Sequence, residues 1–354
     1  MGRRSDRVET MTGLRESLRD YTSLHIGGPA KKFVHAKSEE ELLKAVIEAD
    51  AAGEKLLIIG GGSNVLIGDE GFDGTVVRVE TKGNSYEVDA CSGGMITVAA
   101  GEDWDEFVEW ILGKGFVGLE TLSGIPGTVG ASPIQNIGAY GHEVSEVIAR
   151  VRTWDRKTGA YKTFSNTECA FEYRSSIFKR EKDRYVILDV TFQLKNGEMS
   201  LPIKYEELAR ALNVRLEERV LVEQVRKAVL SLRALKGMLL DKKDHDTWSA
   251  GSFFVNPIVG ADVAASLPAD APRWPQADGR VKTSAAWLME RAGVKKGDCY
   301  EGAGVSSKHV LALVNNGNAK ASDLIELARS SRKAVQDKFG ITLEPEVQFV
   351  GITL

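Results

Sequence analysis

The chain has 354 residues, of which 43% are hydrophobic and 27% charged, and its formal net charge is −4 from 46 basic and 50 acidic side chains. This composition is typical of a globular protein long enough for two or three domains, and the near balance of charge argues against bulk nucleic-acid binding. Three widely spaced cysteines and the lack of an apolar run of about 20 residues argue against a disulfide framework, a secretory signal and membrane insertion, so we expect a cytoplasmic protein.

The first part of the chain predicts an arm, a helix and two strands. Residues 1–20 are expected to form a flexible arm. Ser38 followed by Glu41 is typical of a capping box, and the apolar spacing that follows predicts a helix ending near Gly53. Residues 56–59 and 75–79 read as buried strands on either side of a glycine-rich turn.

Strands and helices do not alternate regularly in the rest of the chain. Further strands are predicted over 95–100, 147–154 and 185–194, and helices over 103–114 and 217–235. This pattern favours an α+β fold.

The C-terminal part follows a charged loop at 241–246, where we expect a domain boundary. Beyond it, helices are predicted over 284–292 and 321–339, and strands over 311–314 and 342–350.

Two glycine-rich loops are the most informative feature. Residues 123–141 carry five glycines and no charged side chain, and a second cluster, residues 60–64, directly follows the first predicted strand. Main-chain N–H groups in such loops can approach a diphosphate or a flat heterocycle. Val65 stands where a dinucleotide fingerprint requires glycine, and the cluster at 60–64, taken alone, is more typical of a strand-ending turn. Together the loops favour one large, phosphate-bearing cofactor.

Three residues are candidates for chemistry. Arg174 lies between aromatic and hydroxyl residues and could clamp a carboxylate, although a surface arginine is the commoner case. Ser252 lies between a glycine and two phenylalanines, which is also compatible with a plain strand start. Glu346 alternates with apolar residues, so it is either a desolvated acid or a solvated edge-strand glutamate. The histidines lack metal-ligand spacing, and we expect no metal.

These segments occur in the order found in one known family. The motifs are residues 60–66, 124–127, 133–141, 173–174, 251–257 and 343–347. Over residues 21–351 the chain resembles the UDP-N-acetylenolpyruvoylglucosamine reductase family, in the form that has a tyrosine-bearing substrate loop. The chain departs from the family pattern after Lys236, where the loop before Ser252 is longer.

The resemblance implies a fold and a domain order. A two-lobed FAD-binding domain of the vanillyl-alcohol-oxidase (PCMH) type is expected over residues 21–236. A smaller α+β substrate-binding domain would follow over residues 237–354, and its last strand, 342–350, would return to the active site.

The resemblance also implies an activity. It is the NADPH-dependent reduction of UDP-N-acetylglucosamine enolpyruvate to UDP-N-acetylmuramate through noncovalent FAD. The enzyme is expected to be a monomer that acts in cytoplasmic peptidoglycan precursor synthesis, and hence in cell-wall biogenesis, cell shape and cell division. Flavin hydride would go to the vinyl carbon. Ser252 would protonate the adjacent carbon, while Arg174 and Glu346 would stabilise the enolate-like intermediate.

Binding residues are implied in the same way. The residues expected to hold FAD are Gly60, Gly61, Gly62, Ser63, Asn64, Val65, Leu66, Ile125, Pro126, Gly127, Gly130, Ala131, Ser132, Gln135, Asn136, Gly138 and Arg233. The residues expected to bind substrate are Tyr140, Tyr173, Arg174, Tyr205, Lys236, Asn256 and His309.

Two alternatives stay open at this point. The glycine loops alone are equally compatible with a flavoprotein oxidase or dehydrogenase that acts on a 2-hydroxy acid or a sugar. In a non-catalytic flavin-binding or sugar-nucleotide-binding protein, Ser252 and Glu346 would be structural.

Overall fold

The computed structural model describes residues 16–89 and 93–354. Most of the predicted arm, and Cys91, lie outside these residues. The fold nevertheless begins within the predicted arm, because Leu18 is fully buried in a small core with Ala30 and Ile67. Its backbone N–H also donates to the carbonyl of Gly28 at 3.0 Å.

The first lobe is a parallel sheet covered by one helix. Its elements are β1 (Ala30–Ala36), α1 (Glu39–Ala51), β2 (Leu56–Ile59), β3 (Val65–Ile67) and β4 (Phe72–Val79). The strand order is β1-β4-β2, and α1 packs on this sheet. Helix α1 begins as predicted, because Ser38 Oγ accepts the N–H of Glu41 at 3.2 Å. The Glu41 carboxylate caps the N–H of Lys37 rather than that of Ser38.

The second lobe is built on an antiparallel sheet. Its elements are β5 (Asn84–Asp89), β6 (Gly93–Ala99), α2 (Trp104–Gly113), β7 (Phe116–Val117), β8 (Gly138–Ala139), β9 (His142–Glu143), β10 (Ile148–Asp155), β11 (Ala160–Ser165), α3 (Ile177–Arg180) and β12 (Tyr185–Asn196). The order is β11-β10-β12-β6-β5, with β7 also paired to β12. The apolar face of α2 packs on this sheet, with the rings of Phe107 and Phe192 5.1 Å apart. The second glycine loop joins β7 to β8.

A helical pair follows the second lobe. It consists of α4 (Glu206–Leu212) and α5 (Val222–Leu235), which bury Leu208, Val225 and Val229 in a small core of their own. Helix α5 begins at Val222 rather than at residue 217, because Glu217 has a left-handed backbone with φ of +67°. A helix cannot propagate through that conformation.

The C-terminal unit combines two small antiparallel sheets with helices. Its elements are β13 (Ser249–Ser252), β14 (Ile258–Val259), α6 (Ala261–Ser266), β15 (Arg273–Pro275), β16 (Val281–Thr283), α7 (Ala285–Ala292), β17 (Cys299–Tyr300), β18 (Ala303–Val305), β19 (Ala312–Asn315), α8 (Ala321–Phe339) and β20 (Gln348–Val350). The sheet orders are β13-β19-β18-β17 and β14-β16-β15. Helices α7 and α8 share an apolar core with the larger sheet.

The last extended segment joins the C-terminal unit to the first lobe. Residues 344–346 pair with residues 253–255, through Val255 N–H to Glu344 O at 3.0 Å and Glu346 N–H to Phe253 O at 2.8 Å. Strand β20 then runs parallel to β3. The segment changes partner midway, so its regular strand is shorter than the predicted 342–350.

Neither of the described stretches contains a helix with both the length and the apolar character needed to cross a membrane.

Candidate active site

A cleft lies where the two glycine-rich loops meet α5, β13 and the segment before β20. It encloses about 1440 Å³, a figure that includes solvent at its mouth. The predicted site residues that line it are Gly60, Gly61, Gly62, Ser63, Asn64, Val65, Ile125, Pro126, Ala131, Ser132, Gln135, Gly138, Arg174, Arg233, Ser252 and Glu346.

The two glycine loops pack directly on each other. An added Cβ at Gly60 would lie 2.3 Å from Thr128 Oγ1, and one at Gly61 would lie 2.8 Å from Gly127 Cα. Ser63 Oγ donates to the carbonyl of Pro126 at 2.9 Å. These glycines therefore permit close packing of the loops; they also line the cleft, and their predicted role in binding FAD stays a prediction.

Asn64 ties three segments of the wall together. Its Nδ2 donates to Gln135 Oε1 at 2.8 Å and to the backbone carbonyl of Glu346 at 3.2 Å. One amide group thus connects the first glycine loop, the second glycine loop and the C-terminal segment. The two loops and the candidate acid are held in one fixed arrangement.

Arg233 is a buried cation at the edge of the second glycine loop. Its Nε donates to Gly124 O and its Nη2 to Met238 O, both at 3.0 Å. Burial lowers the pKa of its guanidinium. Asp105 fixes the same loop, because its carboxylate accepts the Gly124 N–H at 2.6 Å and also pairs with Arg226 at 2.6 Å.

The donors and surfaces of this cleft fit FAD. Leu57, Trp104 and Ile125 contribute apolar wall that suits a flat ring system. The Arg233 guanidinium hydrogen-bonds only to carbonyl oxygens, and within the described residues no carboxylate forms an ion pair with it. A diphosphate would supply the missing anion, and the loop N–H groups can donate to its oxygens.

Arg174 and Glu346 form an ion pair inside the cleft. Arg174 Nε lies 3.0 Å from Glu346 Oε1, although the N–H is not aligned for a hydrogen bond. Arg174 Nη2 donates to Gly138 O at 2.8 Å. The Arg174 backbone is left-handed, with φ of +52°, a conformation that costs a non-glycine residue about 1–2 kcal/mol. The strained backbone is thus found at the arginine that contacts the candidate acid.

Burial raises the pKa of the Glu346 carboxyl, and the nearby cations Arg174 and Lys179 only partly oppose the shift. Lys179 Nζ donates to the carbonyl of Arg174 at 2.9 Å, and burial lowers the pKa of this lysine. Glu346 is therefore easier to protonate than a solvated glutamate, and its protonated carboxyl group can donate a hydrogen bond.

Ser252 is the last residue of β13 and lines the same cleft. The next residue, Phe253, donates its N–H to Leu311 O and accepts the N–H of Glu346, both at 2.8 Å. Backbone pairing thus brings the segments that carry Ser252 and Glu346 side by side. Three polar groups from distant parts of the chain converge on one cleft.

A second group of predicted residues adjoins the cleft near the end of α5. The rings of Tyr140 and Tyr205 meet edge to face at 5.7 Å, and Lys236 Nζ lies 6.0 Å from the Tyr140 ring centre. Burial raises the pKa of Tyr140 to about 12 and also raises that of Tyr205. Burial, with help from Lys236 and Lys296, lowers the pKa of His309 to about 4. His309 is neutral near pH 7.

Tyr173 and Asn256 are also brought together. Burial raises the pKa of the Tyr173 phenol, which hydrogen-bonds to Asn256. Asn256 Oδ1 accepts the N–H of Ala285 at 2.9 Å, which fixes its amide at the start of α7. Lys282 Nζ lies 4.6 Å from the Tyr173 ring centre, a cation–π contact.

Four of the described residues predicted to hold FAD are not among those that line the cleft. Leu66 is fully buried in the apolar core of the C-terminal unit, and Gly127 and Gly130 pack against Ser63 and Ala100. Asn136 is buried, and its Nδ2 donates to Glu143 Oε2 at 2.7 Å. Their contacts show that they pack against neighbouring segments, and their predicted role in holding FAD stays a prediction.

Sequence reasoning missed several residues that shape the site. Lys179 holds Arg174, Asp105 holds the Gly124 loop, Lys282 covers Tyr173, and Glu207 pairs with Lys236 at 2.5 Å. Each is a single charged side chain that lacks a local motif. Only contacts between distant segments reveal them. Within the described stretches no group of His, Cys, Asp or Glu side chains is arranged to hold a metal ion.

Two protein-family models match the chain. Residues 30–165 match an FAD binding domain, and residues 242–350 match the C-terminal domain of UDP-N-acetylenolpyruvoylglucosamine reductase. These matches agree with the predicted α+β fold, in which an FAD-binding domain precedes a C-terminal domain.

Individual relatives match nearly the whole chain. The UDP-N-acetylenolpyruvoylglucosamine reductase of Cutibacterium acnes is 55% identical over 94% of this chain and 89% of its own length. The enzyme of that name from Thermobifida fusca is 49% identical over 95% and 97%. The crystal structure of UDP-N-acetylenolpyruvylglucosamine reductase (MurB) from Thermus caldophilus superposes with a TM-score of 0.65 at 26% identity, covering 95% of this chain and 98% of the other.

Proposed function

The chain belongs to the UDP-N-acetylenolpyruvoylglucosamine reductase family and is an FAD-binding oxidoreductase, and on this premise we propose that it uses NADPH to reduce UDP-N-acetylglucosamine enolpyruvate to UDP-N-acetylmuramate. The observation that carries the proposal is the convergence of Arg174, Glu346 and Ser252 on a cleft suited to FAD. We assign the reaction to cytoplasmic peptidoglycan precursor synthesis and expect a monomer.

The reaction adds one hydride and one proton across a carbon–carbon double bond. When bound, FAD would supply the hydride chemistry that links NADPH to the terminal vinyl carbon of the substrate. NADPH and one proton are consumed, a C–H bond forms at each vinyl carbon, and NADP⁺ is released. The task of the protein is to stabilise the charge that develops next to the substrate carboxylate and to deliver the proton.

We assign charge stabilisation to Arg174 and Glu346. The Arg174 guanidinium, held by Gly138 O, would pair with the substrate carboxylate. Burial raises the pKa of Glu346, so the neutral carboxyl group can donate a hydrogen bond to the developing enolate oxygen. The two groups already contact each other, so little reorganisation is needed when charge develops.

We assign proton delivery to Ser252. A serine hydroxyl is a weak acid in water, so its contribution depends on position in the cleft rather than on acidity. Ser252 lines the cleft, and the backbone of Phe253 hydrogen-bonds to that of Glu346, which supports a role at the same reacting carbon.

The group beside the end of α5 is suited to the remainder of the substrate. We propose that Tyr140, Tyr205 and Lys236 bind the diphosphate, in the manner of the form with a tyrosine-bearing loop. The neutral imidazole of His309 can donate a hydrogen bond there. Tyr173 and Asn256 would contact the enolpyruvyl sugar, since Tyr173 adjoins Arg174.

The test separates the two half-reactions under anaerobic conditions. In Ser252→Ala, NADPH should bleach the flavin absorbance at the wild-type rate. Reoxidation by the enolpyruvyl substrate should be slower by ~10² or more, which is typical for loss of a positioned general acid. Stopped-flow absorbance measures both rates.

The matched control is Ser266→Ala, an exposed serine on α6 that hydrogen-bonds to Val263 O and lies in the same C-terminal unit. It should leave both rates unchanged. Normal reoxidation of Ser252→Ala would remove Ser252 from the mechanism. A wild-type protein that is never reoxidised by the substrate would refute the proposed reaction itself.

A further inference from the structure

One carboxylate lies among the cations beside the end of α5. Glu207 Oε2 and Lys236 Nζ are 2.5 Å apart, and each side chain is about one-third exposed, at 35% and 34%. Glu207 is in the first turn of α4, and Lys236 caps the C-terminus of α5. Lys236 immediately precedes Gly237, which lines the cleft. The ion pair therefore borders the cleft.

The surroundings of this pair are basic and aromatic. Lys236 Nζ lies 6.0 Å from the ring centre of Tyr140, whose other ring neighbour is Tyr205. The positive charges of Lys236 and Lys296 act on His309, and that of Arg233 acts on Tyr140. Glu207 is the acidic residue that acts on all three of Tyr140, Tyr205 and His309.

A carboxylate in this position opposes the binding of a phosphate-bearing ligand. It repels the phosphate charge, and it occupies the ammonium group that would otherwise receive a phosphate oxygen. If a phosphate binds the ammonium group of Lys236, the carboxylate of Glu207 has to leave that group. Both side chains are about one-third exposed, so separating the pair costs little.

We propose that Glu207 is an exchangeable counter-ion for Lys236: it neutralises the lysine in the ligand-free enzyme and is displaced when a diphosphate takes the ammonium group. This inference rests on the proposed function, because it requires a diphosphate ligand at this wall. Glu207 thereby sets the affinity for such ligands without contacting the reacting atoms. It is a positioning residue, which acts through Lys236.

Removing the Glu207 charge should therefore tighten diphosphate binding. Glu207→Gln keeps the size of the side chain and leaves Lys236 free to pair with phosphate. The dissociation constant for UDP should fall about three- to tenfold, as expected for loss of a competing ion pair that is one-third exposed and of one unfavourable charge contact. Uridine, which has no phosphate, should bind the variant and the wild type equally.

The experiment is isothermal titration of the FAD-loaded holoenzyme with UDP and with uridine. The matched control is Glu206→Gln, the neighbouring acid in the same helical turn, which is 79% exposed and pairs with Arg210 at 3.7 Å. It should bind UDP like the wild type. Lys236→Met and the double variant Glu207→Gln/Lys236→Met complete a cycle, in which the effect of Glu207→Gln should shrink once Lys236 is absent, because only the direct repulsion of the phosphate remains.

The outcomes separate the counter-ion role from the proposed function. Unchanged or weaker UDP binding by Glu207→Gln, with a wild type that binds UDP, would overturn the counter-ion role alone. Tightening of undiminished size in the Lys236→Met background would also overturn it, because Glu207 would then act independently of the lysine. A wild-type holoenzyme that does not bind UDP at all would overturn the proposed function first.

Discussion

Gly62 and Gly53 adopt almost the same left-handed backbone, with φ of +62° and +63°, but their surroundings differ. An added Cβ at Gly62 would lie 1.9 Å from the carbonyl oxygen of Tyr21, whereas nothing lies within 4 Å of one at Gly53. Gly62 lines the cleft, and Gly53 follows the end of α1. Alanine at the two positions thus separates the cost of the backbone conformation from the cost of the contact.

The expected costs follow from these distances. Gly53→Ala should lower the free energy of unfolding by about 1 kcal/mol, the usual cost of alanine in the left-handed region. Gly62→Ala adds a clash that the loop can relieve only by moving about 1 Å away from Tyr21, and overpacking of this kind costs about 1–3 kcal/mol. The movement also strains the hydrogen bond from Ser23 N–H to Gly62 O, now 3.1 Å. We expect a total of about 2–4 kcal/mol for Gly62→Ala.

The assay is urea unfolding followed by tryptophan fluorescence, with the flavin content of each purified protein measured by absorbance. Gly53→Ala should retain FAD, and Gly62→Ala should lose much of it, because the displaced loop forms the cleft wall. Equal stability and equal flavin content in the two variants would refute the view that Gly62 is required by the loop contact.

Two further predictions concern residues beside the cleft. Asp105→Asn should weaken FAD retention and lower the free energy of unfolding by roughly 1–3 kcal/mol, because the neutral amide weakens the bidentate pairing with Arg226 at 2.6 and 3.0 Å. Ultrafiltration measures the FAD retention, and urea titration measures the stability. Unchanged flavin retention would contradict this role. Between pH 6.5 and about 4 the His309 imidazole is protonated in the unfolded chain but not in the folded one. The stability linked to neutral His309 is therefore fully present above pH 6.5 and is lost progressively as the pH falls from 6.5 to about 4. Between pH 7 and about pH 4.5, the free energy of unfolding should therefore fall less in His309→Gln than in the wild type, by up to about 2.5 kcal/mol. Urea titrations at the two pH values measure this difference, and parallel pH profiles would contradict it.

Regular, strongly patterned elements were predictable from sequence. Helix α8 has the predicted bounds because its apolar residues keep helical spacing up to Gly340, whose φ of +67° ends it. Strand β11 was missed because almost all of its side chains are exposed, so no apolar alternation marks it. Helix α4 was missed because its seven residues are too few to show a period.

The site residues that stand in sequence motifs were predictable, whereas isolated charged residues that reach the site only through tertiary contacts were not. The glycine loops, Arg174, Ser252 and Glu346 stand in recognisable segments, and the structure places them in one cleft. Glu207 and Lys236 are paired only because α4 packs against α5, which no local pattern indicates. The contact of Gly60 and Gly61 with the second glycine loop was not predictable either, because composition shows that a glycine is present but not what faces it.

The central claim is that this cleft holds FAD and passes hydride from NADPH to an enolpyruvyl ether. Its most direct test is an anaerobic titration of the purified wild-type protein, followed by its flavin absorbance. We expect a yellow protein whose flavin absorbance is bleached by one equivalent of NADPH. One equivalent of UDP-N-acetylglucosamine enolpyruvate should then restore the absorbance, with UDP-N-acetylmuramate as the product. A protein without flavin, or a bleached flavin that oxygen restores and the enolpyruvyl substrate does not, would contradict it.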